Sequence, residues 1–169
     1  MKTYIALLRA VNVGGTGKLP MAELRAMCEA IGFEDVRTYI ASGNVVLRGA
    51  QGRKQVKALL EKELARYAGK PVGVLLRTPE EMAAVLAANP FPDAAQNRNV
   101  VIFLDAAPAS DALAAVSHRN GEEIALGKRE IHVHYGDGMT DSKLRIPAAK
   151  SGTARNMNTV ARLVAMAGE

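Results

Sequence analysis

The chain has 169 residues, 49% apolar and 23% charged, with one cysteine and no tryptophan. This is the balance of a soluble globular protein, one large or two small domains around an aliphatic core. It excludes an internal disulfide, and no stretch has the apolar length that spans a bilayer. The net charge of +5 permits an anionic partner such as a nucleotide, a phosphorylated metabolite or nucleic acid, but serves solubility equally well.

The N-terminal run "TYIALLRAV" (residues 3–11) is continuous and apolar and predicts a buried strand. It is short for a signal peptide, Arg9 interrupts it and no small-residue cleavage pattern follows. With a lone Cys28, this predicts a cytoplasmic protein. Residues 12–19 carry Gly14, Gly15 and Gly17 and predict a loop, after which Pro20 suits the first turn of a helix. Met21, Leu24, Met27, Cys28 and Ile31 follow helical spacing, and Gly32 ends that helix. "VRTYIA" and "NVVLRG" are strands around Ser42 and Gly43. A second helix covers residues 53–67, with Val56, Leu59, Leu60, Leu64 and Tyr67 on one side, and "PVGVLLR" (71–77) is a fourth strand.

The order β-α-β-β-α-β is that of a split βαβ, ferredoxin-like unit, read here as residues 1–78. Residues 79–169 read as a second, rearranged copy: a Thr-capped helix at "TPEEMAAVLAA", a proline-punctuated link, a strand "NVVIFLD", a helix over 108–118, a hairpin "EEIALGKREIHVHY" and a closing helix over 154–167. The duplication follows from element order alone; no internal sequence repeat is evident. The fold class is therefore α+β, two α/β-plait halves with antiparallel sheets.

This topology makes a functional prediction. A first strand lying between the third and fourth, antiparallel to both, ends where the third begins. Loop 12–19, turn 41–44 and the entry to the fourth strand then share one end of the sheet with the start of the first helix. That gathers Asn12, Gly14, Gly15, Lys18, Ser42, Gly43, Asn44 and Lys70 into a plausible anion cradle, and Arg9 joins the candidate ligand-binding residues. The glycines equally supply turns, and the spacing matches neither the dinucleotide nor the P-loop pattern. Ile5, Leu7 and Arg9 alternate away from the helices, so the open face needs a cover; it lacks the central aromatics of RNA-recognition sheets.

Near the C-terminus, Arg155, Asn158, Thr159 and Arg162 fall on one face of the expected helix, with Lys143, Arg145 and Lys150 upstream. This predicts either a phosphate or nucleic-acid contact or a solvated face. His132 and His134 alternate on one strand; a metal would need Asp137, Asp141 or His118 as a third ligand, and no metal site is predicted.

The segments "LRAVNVGG", "MAELRAMCEAIGFEDVRTYIASGNVV", "NPFP", "HYGDGMTDSKL" and "TARNMNTV" resemble the bacterial domain-of-unknown-function family numbered sixteen-ninety-seven, in order and nearly end to end. The resemblance implies two ferredoxin-like halves and no established activity or cofactor. The family's recurring motifs match Arg9, Asn12, Gly14, Gly15, Ser42, Gly43, Asn44, Ser142, Lys143, Leu144, Arg155, Asn156, Asn158 and Thr159. Its members usually carry Trp where this chain has Met157.

The leading expectation is a binding protein for a small phosphorylated or anionic ligand, with the loop cradle closed by Lys143, Arg155, Asn156 and Asn158. Rival expectations are an enzyme on a nucleotide or phosphorylated substrate, using Asp141, His134 or Ser42, a nucleic-acid binder using the basic C-terminal region, and an assembly module whose open sheet faces pack together.

Overall fold

The computed structural model describes residues 1–9, 18–136, 139 and 142–168. Two compact units divide the chain, Met1–Met82 with Leu163–Glu169, and Ala83–Arg162. No described helix is long and apolar enough to cross a membrane.

In the first unit, β1 (Lys2–Leu8), β2 (Glu34–Tyr39), β3 (Asn44–Gly49) and β4 (Val74–Arg77) form an antiparallel sheet ordered β2-β3-β1-β4. Helices α1 (Met21–Ile31) and α2 (Arg53–Ala68) cross over between them, giving the predicted βαββαβ unit. Side chains alternate across a strand. Tyr4, Ala6, Leu8, Val45, Leu47, Val74 and Leu76 therefore share one core with Leu24, Met27 and Cys28 of α1 and Val56, Leu60 and Leu64 of α2. Burial pushes the Cys28 thiol up to about 12, so it is an inert part of that core. Tyr67, expected on the apolar side of α2, is instead exposed: it lies in the last turn, beyond the final packed residue Leu64.

The opposite face of this sheet carries Ile5, Leu7, Asn44, Val46, Leu75 and Arg77, and all are buried.

The second unit contains β5 (Asn99–Phe103), β6 (Glu123–Leu126), β7 (Glu130–His134) and β8 (Thr153–Asn156), ordered β6-β7-β5-β8. This is the strand order of the first sheet, so the rearrangement is confined to the connections. Short 3₁₀ turns, among them Ala112–Ala115 and Pro147–Ala149, stand where the first unit has α1 and α2. The helix expected over 108–118 does not form. Its alanines offer little apolar surface to bury, and a helix this short is marginal without packing. Val116 is extended and Ser117 exchanges backbone bonds with Arg145, of 3.0 and 2.9 Å. One face of this sheet packs Val100, Ile102, Leu104, Ile131 and Val133 against Leu144, Ile146, Ala148 and Ala149.

Helices α3 (Pro79–Ala87) and α4 (Met157–Ala167) each follow the last strand of a sheet. Thr78 and Glu81 cap α3 reciprocally, through bonds of 3.2 and 2.9 Å. Asn156 Oδ1 accepts the Thr159 N–H at 2.9 Å and caps α4. This cap corrects the expected helix over 154–167: residues 153–156 are a strand paired with β5, and the helix starts only at Met157.

The register exposes a repeat invisible as sequence identity. Ile5 pairs with Arg77, and Val101 pairs with Arg155. Each arginine ends on a helix cap, Thr78 or Asn156. Each donates Nη1 to the preceding carbonyl, Arg77 to Leu76 at 3.0 Å and Arg155 to Ala154 at 2.8 Å.

Candidate functional site

The predicted loop end of the first sheet is assembled by two backbone bonds. The Leu8 N–H donates to the Gly43 carbonyl at 2.8 Å, and the Arg9 N–H donates to the Gly73 carbonyl at 2.9 Å. Arg9, which is exposed, is thereby held between the β2–β3 turn and the entry to β4. A side chain at Gly73 would sit 3.6 Å from Arg9 Cβ and Cδ, so the arginine stem passes over this glycine. Lys18 and Lys70 are exposed, Lys18 just before α1 and Lys70 in the approach to β4. α1 starts after Pro20 with no side-chain cap.

The turn itself is built by its own side chains. Asn44 is fully buried and its Nδ2 donates to the Tyr39 carbonyl at 2.8 Å and to Ser42 Oγ at 2.9 Å. Ser42 and Asn44 therefore brace the turn. Gly43 occupies φ 88°, a left-handed conformation open to glycine. Ile40 occupies φ 49° while half exposed, a conformation unusual for a β-branched residue. Behind the rim, Glu61 accepts the Val74 N–H at 3.1 Å and Lys57 donates to the Val74 carbonyl at 2.9 Å, fixing the β4 entry to α2. Asn12, Gly14 and Gly15 lie outside the described residues.

The C-terminal candidates do not form one helix face. Arg155 lies on β8, is 7% exposed, and donates Nη1 to Thr153 Oγ1 at 2.9 Å as well as to Ala154. Burial lowers its pKa to about 10, so it stays charged at neutral pH. Asn156 is consumed as a cap and Thr159 is buried; only Asn158 and Arg162 of that set are exposed. Lys143 is exposed, in a segment pinned by its neighbour. Ser142 Oγ donates to Glu122 Oε2 at 2.6 Å and accepts the Leu144 N–H at 3.3 Å. That hydroxyl, with the Asn120 N–H, holds the Glu122 carboxyl below the usual range.

Of the groups considered for proton transfer or metal binding, His134 Nδ1 lies 3.1 Å from Glu123, His118 is exposed, and Asp137 and Asp141 lie outside the described residues. No cluster of three or more metal-ligating side chains occurs among the described residues.

His132 is 3% exposed, and its Nδ1 has no partner among the described residues. Arg155, Val101 and His132 form one row across β8, β5 and β7, and Thr153, Phe103 and Glu130 the next. Burial lowers the His132 pKa from 6.5, partly offset by Glu130. The unfolded chain then binds the proton more readily, so stability is full above pH 6.5 and falls as pH drops toward the lowered folded value. The fall cannot exceed about 1.4 kcal/mol per pH unit for this one group. Urea midpoints between pH 7.5 and 5 should show a flatter profile in His132→Leu than in the parent; identical profiles would refute this.

Sequence reasoning missed Arg77, which is 1% exposed, and Gly73. The signal for Arg77 was the match of "LLRTPEEM" to "TARNMNTV" as strand, arginine, cap and helix.

The fold is similar to that of the conserved bacterial protein SP0830 from Streptococcus pneumoniae, with a TM-score of 0.79, 24% identity and coverage of 98% of both chains. No curated protein matches the chain. The family model described as "Protein of unknown function (DUF1697)" matches residues 1–132. That stretch holds the loop-end motifs, while the Ser142 and Arg155 motifs lie beyond it. The chain belongs to the DUF1697 family.

Proposed function

We propose that this protein binds a small phosphorylated or otherwise anionic ligand at the loop end of the first sheet. The observation carrying this reading is the pair of backbone bonds, Leu8 to Gly43 and Arg9 to Gly73, that fixes the backbone of the exposed Arg9 between the turn and β4. Arg9 supplies a planar fork suited to phosphate, and Lys18 adds charge beside the uncapped start of α1. Ser42 and Asn44 give the turn its shape, and Gly73 leaves room for the arginine stem. Arg155 acts on the fold of its own unit, so the cradle's charge rests on Arg9 and Lys18.

Thermal shift with inorganic phosphate, ribose 5-phosphate, AMP and a short single-stranded DNA tests the reading. At about a hundred times its dissociation constant a ligand adds roughly 2.7 kcal/mol, a shift of about 5–11 °C for a chain of this size. The shift by a small phosphate should vanish in Arg9→Gln while the unliganded midpoint stays unchanged. No shift with any small anion, or an unaltered shift in Arg9→Gln, would overturn the proposal. A shift with DNA alone, erased by salt, would move the function to the exposed cations Lys143, Arg145, Lys150 and Arg162.

A further inference from the structure

The repeat supplies an internal control for the loop end. In the second unit the Leu104 N–H donates to the Arg129 carbonyl at 2.8 Å, the same bond that Leu8 makes to Gly43. Two features differ. Asp105 follows Leu104 where Arg9 follows Leu8. The second turn, residues 127–129, contains no non-glycine residue at positive φ, whereas the first holds Ile40 at φ 49°. The corner therefore forms without such strain.

Ile40 is also 50% exposed, the second most exposed of the four exposed large apolar side chains among the described residues. A β-branched residue in the left-handed region costs stability, and this one recovers little by burial. Glycine or asparagine would occupy the position at lower cost. The strain and the exposed apolar group occur on the corner that presents Arg9.

We propose that Ile40 is a ligand-contacting residue and that the anion taken at this corner is an organic phosphate bearing an apolar group, which packs on Ile40 while Arg9 holds the phosphate. This rests on the anion-binding reading above. Arg9 follows β1 and Ile40 follows β2, two strand spacings apart, so the two ends of the ligand are separated by roughly 10 Å. A nucleotide-sized or aryl phosphate spans that distance; inorganic phosphate engages only the arginine.

Titration calorimetry with inorganic phosphate, ribose 5-phosphate and 1-naphthyl phosphate tests this on the full chain. Naphthyl phosphate should bind about tenfold more tightly than ribose 5-phosphate, the gain from burying roughly 55 Å² of apolar surface. In Ile40→Gly and Ile40→Asn that preference should disappear, inorganic phosphate should bind as before, and the unliganded thermal midpoint should equal or exceed the parent's. A substitution that leaves the fold at least as stable while removing one ligand preference is not explained by a structural role. Equal binding of the two organic phosphates, or a preference retained in both variants, would overturn this inference and leave the anion site standing. Failure of all three phosphates to bind would overturn both.

Discussion

Arg155→Ala is expected to destabilise the protein by about 3 kcal/mol, lowering the thermal midpoint by about 6–12 °C. The guanidinium is buried and its Nη1 serves both Thr153 Oγ1 and the Ala154 carbonyl. Truncation leaves a void and removes the donor from a buried hydroxyl and a part-buried carbonyl, and an unmet polar group is costly away from water. Arg155→Lys should recover only part of the loss, because an ammonium lacks the planar fork. Arg77→Ala should behave similarly in the first unit, where Arg77 is 1% exposed and also bonds its preceding carbonyl. Circular-dichroism melts of the variants decide the matter. A midpoint within about 1 °C of the parent for Arg155→Ala would show that the buried charge contributes nothing net, as some buried ion pairs do.

Gly152→Ala and Gly73→Ala should differ sharply although each glycine immediately precedes the last strand of its sheet. A Cβ at Gly152 would lie 2.7 Å from the Phe103 carbonyl oxygen, 2.8 Å from Ile102 Cγ2 and 2.9 Å from Leu104 Cδ2. Phe103 is on the central strand and pairs with both Glu130 and Thr153, so it cannot retreat without disturbing two ladders. The overpacking should cost about 3 kcal/mol. At Gly73 the nearest atoms, Arg9 Cβ and Cδ, are at 3.6 Å, an ordinary contact. Alanine there should change stability by less than about 0.5 kcal/mol, since it also restricts the unfolded chain. Paired urea titrations measure the contrast, and equal losses at both positions would refute the steric account.

Much of the first unit was legible because its signals are local and mutually consistent. Leu24, Met27 and Cys28 recur at helical spacing before Gly32, and all three are buried. The β-α-β-β-α-β order then implies the meeting of turn 41–44 with the end of β1, and the Leu8 to Gly43 bond realises it. The second unit was harder because its connections carry little apolar periodicity. Alanines at 109, 112, 114 and 115 read as helix by propensity, but propensity is weak without a face to bury. At the C-terminus a strand and a helix adjoin without a glycine or proline between them. Only the Asn156 cap separates them, and a lone asparagine inside a polar run is an ambiguous stop.

The sequence by itself determined the α+β class, the first unit's element order, the aliphatic core and the end of the sheet where the loops gather. These follow from periodicity, turn chemistry and connection rules, which act over a few residues. Tertiary structure decided what each polar residue does. It turned Asn44 and Asn156 into a brace and a cap, buried Arg77 and Arg155, left Arg9 exposed over Gly73, and placed a strained Ile40 on the same corner. The reason is physical: a side chain's role depends on whether water or a specific partner surrounds it, and residues distant in the chain set that surrounding.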